Sequence, residues 1–152
     1  MATGKRSVTA QPTRDAEVTR AKILDAAEDE FARHGLAATR TEDIAARTSV
    51  TKAMIYYYFG SKEGLYEVML ERAFSDRFRS LQQMNLDELP PERALEAIAR
   101  WFLTDMVRNT NLPTILFYEG IQNKGRYYKR IGILAIYEKI ANVLERGMAS
   151  GV

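Results

Sequence analysis

From Thr19 onward, apolar side chains recur three and four residues apart and nowhere alternate. Ile23, Leu24, Ala27 and Phe31 set the pattern, the spacing of one buried face on an α-helix. With no strand pattern and no internal repeat to compete, it predicts an all-α fold. Gly35 stands where a helix end favours a left-handed residue, placing a first helix at about residues 19–34. Residues 1–18 are polar, with Gly4, Pro12 and several hydroxyl side chains, and read as a flexible arm. Its Lys5, Arg6 and Arg14, and His34 at the end of the first helix, read as solvated surface groups.

Thr41 is a suitable N-cap, followed by Glu42 and Asp43 in a first turn that favours negative charge. A short helix follows at about 41–47, then the turn Thr48-Ser49-Val50. Thr51 caps a third helix that runs to Phe59, where Gly60 breaks it. Ser61 caps a fourth, whose inner stripe is Leu65, Val68, Met69, Phe78 and Leu81, reaching about residue 83. Pro91 opens a fifth helix with Leu95, Ile98, Ala99, Phe102, Leu103 and Met106 on one face. A sixth is expected at about 113–123. The last, at about 127–148, is apolar on more than one side.

Two short helices joined by a three-residue turn at 41–59 form a helix-turn-helix, whose second helix can enter a DNA major groove. At about 100° per residue, Ile55 and Phe59 share the inward face, while Tyr57 points the opposite way. Ala53 and Met54 also face largely outward, and Tyr56 and Tyr58 flank the buried stripe. Three consecutive tyrosines cannot all be core; phenol hydroxyls can donate to phosphates and rings can touch thymine methyls. Charge points the same way. The chain carries a net charge of only +2, but residues 31–62 hold Arg33, Arg40, Arg47, Lys52 and Lys62 against Glu42 and Asp43.

Other function classes are narrowed by what is missing. There is no cysteine and a single histidine, so thiolate metal sites and histidine dyads are excluded, and no cofactor or metal is expected. Gly60-Ser-Lys-Glu-Gly64 lacks the spacing of a P-loop, and no nucleophile elbow occurs, so no catalytic residue is assigned. No apolar run approaches a membrane span and no secretory leader is recognisable, so the expected location is cytoplasmic.

The run from Thr41 to Leu65 resembles the signature of the tetracycline-repressor (TetR) family of bacterial transcriptional regulators. Its landmarks are Ile44-Ala45, Val50, Ile55-Tyr56, Tyr58-Phe59, Ser61-Lys62-Glu63 and Leu65. The close match covers about 19–70. The resemblance implies a flexible arm at 1–18, a three-helix DNA-binding domain at 19–66 and a helical ligand-binding and dimerisation domain at 67–152. It also implies a homodimer that binds double-stranded DNA at a palindromic operator and is released by a small-molecule inducer. By position, Thr41 and Lys62 correspond to phosphate contacts, and Lys52, Ala53 and Tyr56 to positions near base edges. Met54, Tyr57 and Tyr58 lie where family members touch backbone or bases, and Thr51 opens the same helix.

The family pocket lies among helices 4 to 7, which makes Trp101, Tyr118, Gln122 and Tyr137 candidates to line it; an aromatic lining with few charges fits an apolar or aromatic inducer. A DNA-binding or interaction protein without an inducer pocket is the alternative. Ser49 departs from the family, which mostly has glycine there, at a cost of about 1 kcal/mol if the turn is left-handed. Family members usually continue for two more helices, so the C-terminal bundle is expected to be short by its last two and to expose an apolar patch on helix 7 and its neighbours. The acidic stretch Asp25, Glu28, Asp29, Glu30 reads as a wet face, and the basic cluster Lys124, Arg126, Lys129, Arg130 as a solvated loop and helix start.

Overall fold

The computed structural model describes residues 14–128 and 132–151. Seven α-helices occupy them: α1 Arg14–Ala38, α2 Thr41–Thr48, α3 Lys52–Phe59, α4 Lys62–Gln82, α5 Pro91–Arg108, α6 Asn111–Gln122 and α7 Ile133–Ser150. A short 3-10 turn at Leu86–Glu88 joins α4 to α5. No strand occurs among the described residues.

Helix α1 begins at Arg14, so residues 14–18 of the expected arm are helical; residues 1–13, with Lys5 and Arg6, lie outside the described residues. Asp15 and Glu17 supply the negative first turn that the helix dipole favours. Thr19 is therefore an interior residue, its hydroxyl donating to the Asp15 carbonyl at 2.8 Å. The backbone leaves helical geometry at Gly35, φ 71° and ψ 172°, where the sequence places the break. Helix α6 starts two residues earlier than expected because Pro113 falls in its first turn, where no amide partner is needed. Helix α7 starts later, since Asn123 to Tyr128 form a tight turn instead; Lys129 and Arg130 of the expected basic cluster lie outside the described residues.

Helix α1 packs against α2, α4 and α6, while α5 pairs with α7. Ile23, Leu24, Ala27 and Phe31 meet Ile44, Ile55, Leu65 and Met69 in a core fully shielded from water. Apart from Ala27, each such side chain contributes about 1.5–3 kcal/mol by burial. The buried face of α4 is broader than the expected stripe, adding Tyr66, Leu70, Ala73 and Phe74. Only Ala94 and Ile98 of α5 are buried. Leu95, Phe102, Leu103 and Met106 have the helical periodicity of a core face but are exposed. Phe117, Ile121, Leu134, Tyr137, Leu144 and Met148 are exposed as well. Among the described residues no helix is long and apolar enough to cross a membrane.

The acidic stretch of α1 is not a wet face. Glu30 is buried and paired with Arg47 of α2, with Arg33 and His34 beside it. Asp25 accepts from Arg72 at 2.7 Å, and Asp29 from the Asn111 amide at 2.9 Å. Burial pushes the Glu28 carboxyl above its ordinary range, against the pull of Arg72. These four carboxylates fasten α1 to α2, α4 and α6.

Candidate nucleic-acid interface

The turn between α2 and α3 sets how α3 is presented. Ser49 adopts φ 57° and ψ 24°, the left-handed conformation that glycine takes freely. Ser49→Gly is therefore expected to stabilise the fold by about 1 kcal/mol, less the extra freedom glycine has when unfolded. Denaturant unfolding checks this, and a destabilised variant would refute it. After the turn, the Thr51 hydroxyl accepts the Met54 amide at 3.2 Å and starts α3 at the residue the sequence indicates.

Ile55 and Phe59 plug α3 into the core, and Tyr57 is 84% exposed on the opposite side. Thr51, Lys52, Ala53, Met54 and Tyr56 are exposed too, so one helix face offers two phenols, a thioether and an ammonium to solvent. Tyr58 is half-buried, its ring edge-on to Tyr57 at 5.4 Å. Lys52 is ion-paired with Glu42 of α2 and stands 5.7 Å from the centre of the Tyr56 ring. The hydrogen bond between the two raises the Lys52 ammonium and lowers the Glu42 carboxyl from their ordinary values, so both are charged.

Thr41 and Lys62 sit differently from the expectation. The N-cap of α2 is Arg40, in extended geometry, and Thr41 is the first helical residue with its side chain buried. Lys62 donates to the carbonyls of Ala37 at 3.1 Å and Thr39 at 3.0 Å. A cation at the start of α4 opposes that helix's dipole, but here it satisfies free carbonyls at the end of α1. Ser61 caps α4 as expected, accepting the Gly64 amide at 2.9 Å.

Of the four candidate ligand residues, Trp101 and Gln122 border different clefts. Trp101 donates to the Ser80 hydroxyl at 3.2 Å and borders a cleft of about 620 Å³ between α4 and α5, with Arg93, Arg100 and Arg108 on its rim. Gln122 borders a separate cleft of about 370 Å³ beside the end of α1. Tyr118 is half-buried and Tyr137 exposed. A third cleft, about 540 Å³ and almost wholly apolar, lies between α5 and α7 against Leu95, Ala99, Val143, Leu144 and Met148.

Sequence reasoning passed over the most buried charge. The Glu119 carboxylate is fully enclosed and accepts from Tyr66 Oη at 3.2 Å, Asn123 Nδ2 at 2.6 Å and the Tyr127 amide at 2.7 Å. Tyr66 packs edge-on to Phe31 at 4.9 Å and to Tyr127 at 5.2 Å. Burial, reinforced by the neighbouring carboxylate, holds the Tyr66 phenol far above its ordinary value, so it remains a donor. The network joins α4, immediately after the helix-turn-helix, to the end of α6. The available signal was an isolated Glu in the last turn of an apolar helix, Leu112 to Ile121.

Comparison with known proteins follows the same outline. The family model described as bacterial regulatory proteins, tetR family, matches residues 23–69. The transcriptional repressor NicS of Pseudomonas putida is 33% identical over the whole of this chain, which spans 72% of it. RutR, a transcriptional regulator of Escherichia coli, is 36% identical over 58% of this chain and 39% of its own. The crystal structure of HlyIIR, a hemolysin II transcriptional regulator, superposes with a TM-score of 0.72 at 29% identity, covering 90% of this chain and 76% of that one. The Bacillus subtilis regulator FadR, solved in complex with stearoyl-CoA, shares the fold at 22% identity with a TM-score of 0.72, over 86% of this chain and 72% of its own.

Proposed function

The chain belongs to the tetR family of bacterial regulatory proteins and is a DNA-binding transcriptional regulator; on that premise we propose that it is a repressor that grips a palindromic operator as a homodimer and lets go when a small molecule binds. The observation that carries the DNA contact is the division of α3. Ile55 and Phe59 fix the helix, leaving Thr51, Lys52, Ala53, Met54, Tyr56 and Tyr57 on a free face, with Tyr58 at its edge. Such a face supplies donors for phosphate and base acceptors, with apolar surface for thymine methyls. Lys62 supports it from the start of α4, keeping one donor to spare beyond its two carbonyls, whereas Thr41, its side chain buried, contributes through its place at the start of α2 rather than through its hydroxyl.

The inducer is an apolar or aromatic molecule held among the C-terminal helices. The named ligand of FadR supports that class for this fold, as does the apolar cleft between α5 and α7. Trp101 is the best placed of the aromatic candidates, since its bond to Ser80 reports directly on the position of α4. A shift of α4 changes the separation of two recognition helices, which must match half-sites about one helical turn apart. The second copy is expected on the exposed apolar surface of α7 and its neighbours.

Selection of bound DNA from a random pool tests the reading, with an inverted repeat as the expected product. Lys52→Ala is expected to weaken the selected operator roughly 10-fold or more and relax preference at one position. The same loss on every DNA sequence would show that Lys52 does not read a base.

A further inference from the structure

The turn after α6 is more ordered than a solvated loop requires. The Glu119 carbonyl accepts the Asn123 amide at 3.2 Å and the Gly125 amide at 3.0 Å, and its buried carboxylate holds Tyr127. Within this clamp Lys124 keeps a left-handed backbone, φ 55°, which is strained for a non-glycine residue. Strain of this kind persists where the surroundings over-determine it and concentrates at functional segments. What the turn displays is charge: Lys124 and Arg126 are both exposed, and the Arg126 guanidinium lies 5.6 Å from the centre of the Tyr127 ring.

Lys124, Arg126 and Lys62 border one cleft of about 370 Å³, whose lining also includes Leu36, Ala37 and the acidic Glu63. Cations outnumber that acid, so the cleft favours an anion. Its position says which. Lys62 follows α3 after only Gly60 and Ser61, and its ammonium reaches the Thr39 carbonyl, two residues before α2 begins. The cleft therefore lies at the start of α4, beside the segment that leads into α2. We infer that Lys124 and Arg126 bind the phosphodiester backbone of the operator, beside the stretch that α3 reads. The inference rests on the DNA-binding reading above and extends the interface into the C-terminal half. Lys124 and Arg126 thus form a backbone clamp, built on the buried Glu119.

The test is operator affinity of the full chain across a salt series, with the double variant Lys124→Gln/Arg126→Gln. In the homodimer the double variant loses four phosphate contacts per operator, two from each copy, and these losses should lower the slope of log affinity against log salt by about three to four units, at roughly 0.9 per contact. They should weaken the operator and scrambled DNA alike, with the melting temperature unchanged. The pair Arg79→Gln/Lys139→Gln removes the same charge away from the cleft and should leave the slope nearly intact. A slope in the first pair equal to that of the unaltered chain, as for a cleft that takes only free phosphate, overturns the inference. An equal drop in both pairs does so too. Failure of the unaltered chain to prefer its operator is a separate result and sinks the parent reading instead.

Discussion

Glu119→Ala is expected to destabilise the protein by about 3–5 kcal/mol, on the order of half the stability of a typical domain. Truncation leaves the buried Tyr66 hydroxyl and Tyr127 N–H without their acceptor and takes the partner of the half-buried Asn123 amide as well. Each buried orphan costs about 1–3 kcal/mol, and local relaxation recovers part of the sum. Tyr66→Phe serves as the comparison: it removes one donor, leaves the other two bonds in place and should cost about 1 kcal/mol. Thermal or denaturant unfolding measures both. Equal small losses would mean that the carboxylate holds nothing together.

The second large effect is expected at Gly64. A Cβ on Gly64 would overlap the carbonyl oxygen of Phe59, and that oxygen is fixed by accepting the Ser61 amide at 2.9 Å. The obstacle is backbone at the joint between α3 and α4, where neither side can yield by rotating a side chain. Gly64→Ala should therefore cost about 2–3 kcal/mol by overpacking. It should also tilt α3, reducing operator affinity by more than the loss of folded protein explains. Gly60, which has open space where its Cβ would go, is a useful contrast despite its φ of 75°. A Gly64→Ala variant with unaltered stability and unaltered DNA affinity would show that the joint is looser than its contacts indicate.

What the residues disclosed in advance follows the range of the interactions involved. Periodicity and caps act over three or four positions, so the face of α3, the caps Thr51 and Ser61 and the opening Pro91 were readable. The left-handed Ser49 was readable for the same reason. Pairings across long separations leave no local mark. Glu119 meets Tyr66 from 53 positions away, and Arg47 meets Glu30 from 17, so both carboxylates looked ordinary in the sequence. Lys62 shows a mixed case: its conflict with the dipole of α4 was visible, but not the end of α1 that resolves it. Helix α5 shows the converse, since periodicity identifies an apolar face without saying whether anything covers it.

Helix α4 belongs to both halves of the molecule. Its first turns complete the core beneath α3 with Leu65 and Met69, while Arg77 and Ser80 further along bond to Asp105 and Trp101 of α5. A continuous helix fixes azimuth as well as distance: each residue advances the axis by about 1.5 Å and turns it by about 100°. One residue inserted between Met69 and Arg77 would swing the whole reading head through more than a quarter turn relative to the bundle. Four residues would nearly restore the phase while lengthening the lever by about 6 Å. The length of α4 is in this sense a dial setting, and exchange of heads between such proteins would preserve alignment only at increments close to whole turns of the screw.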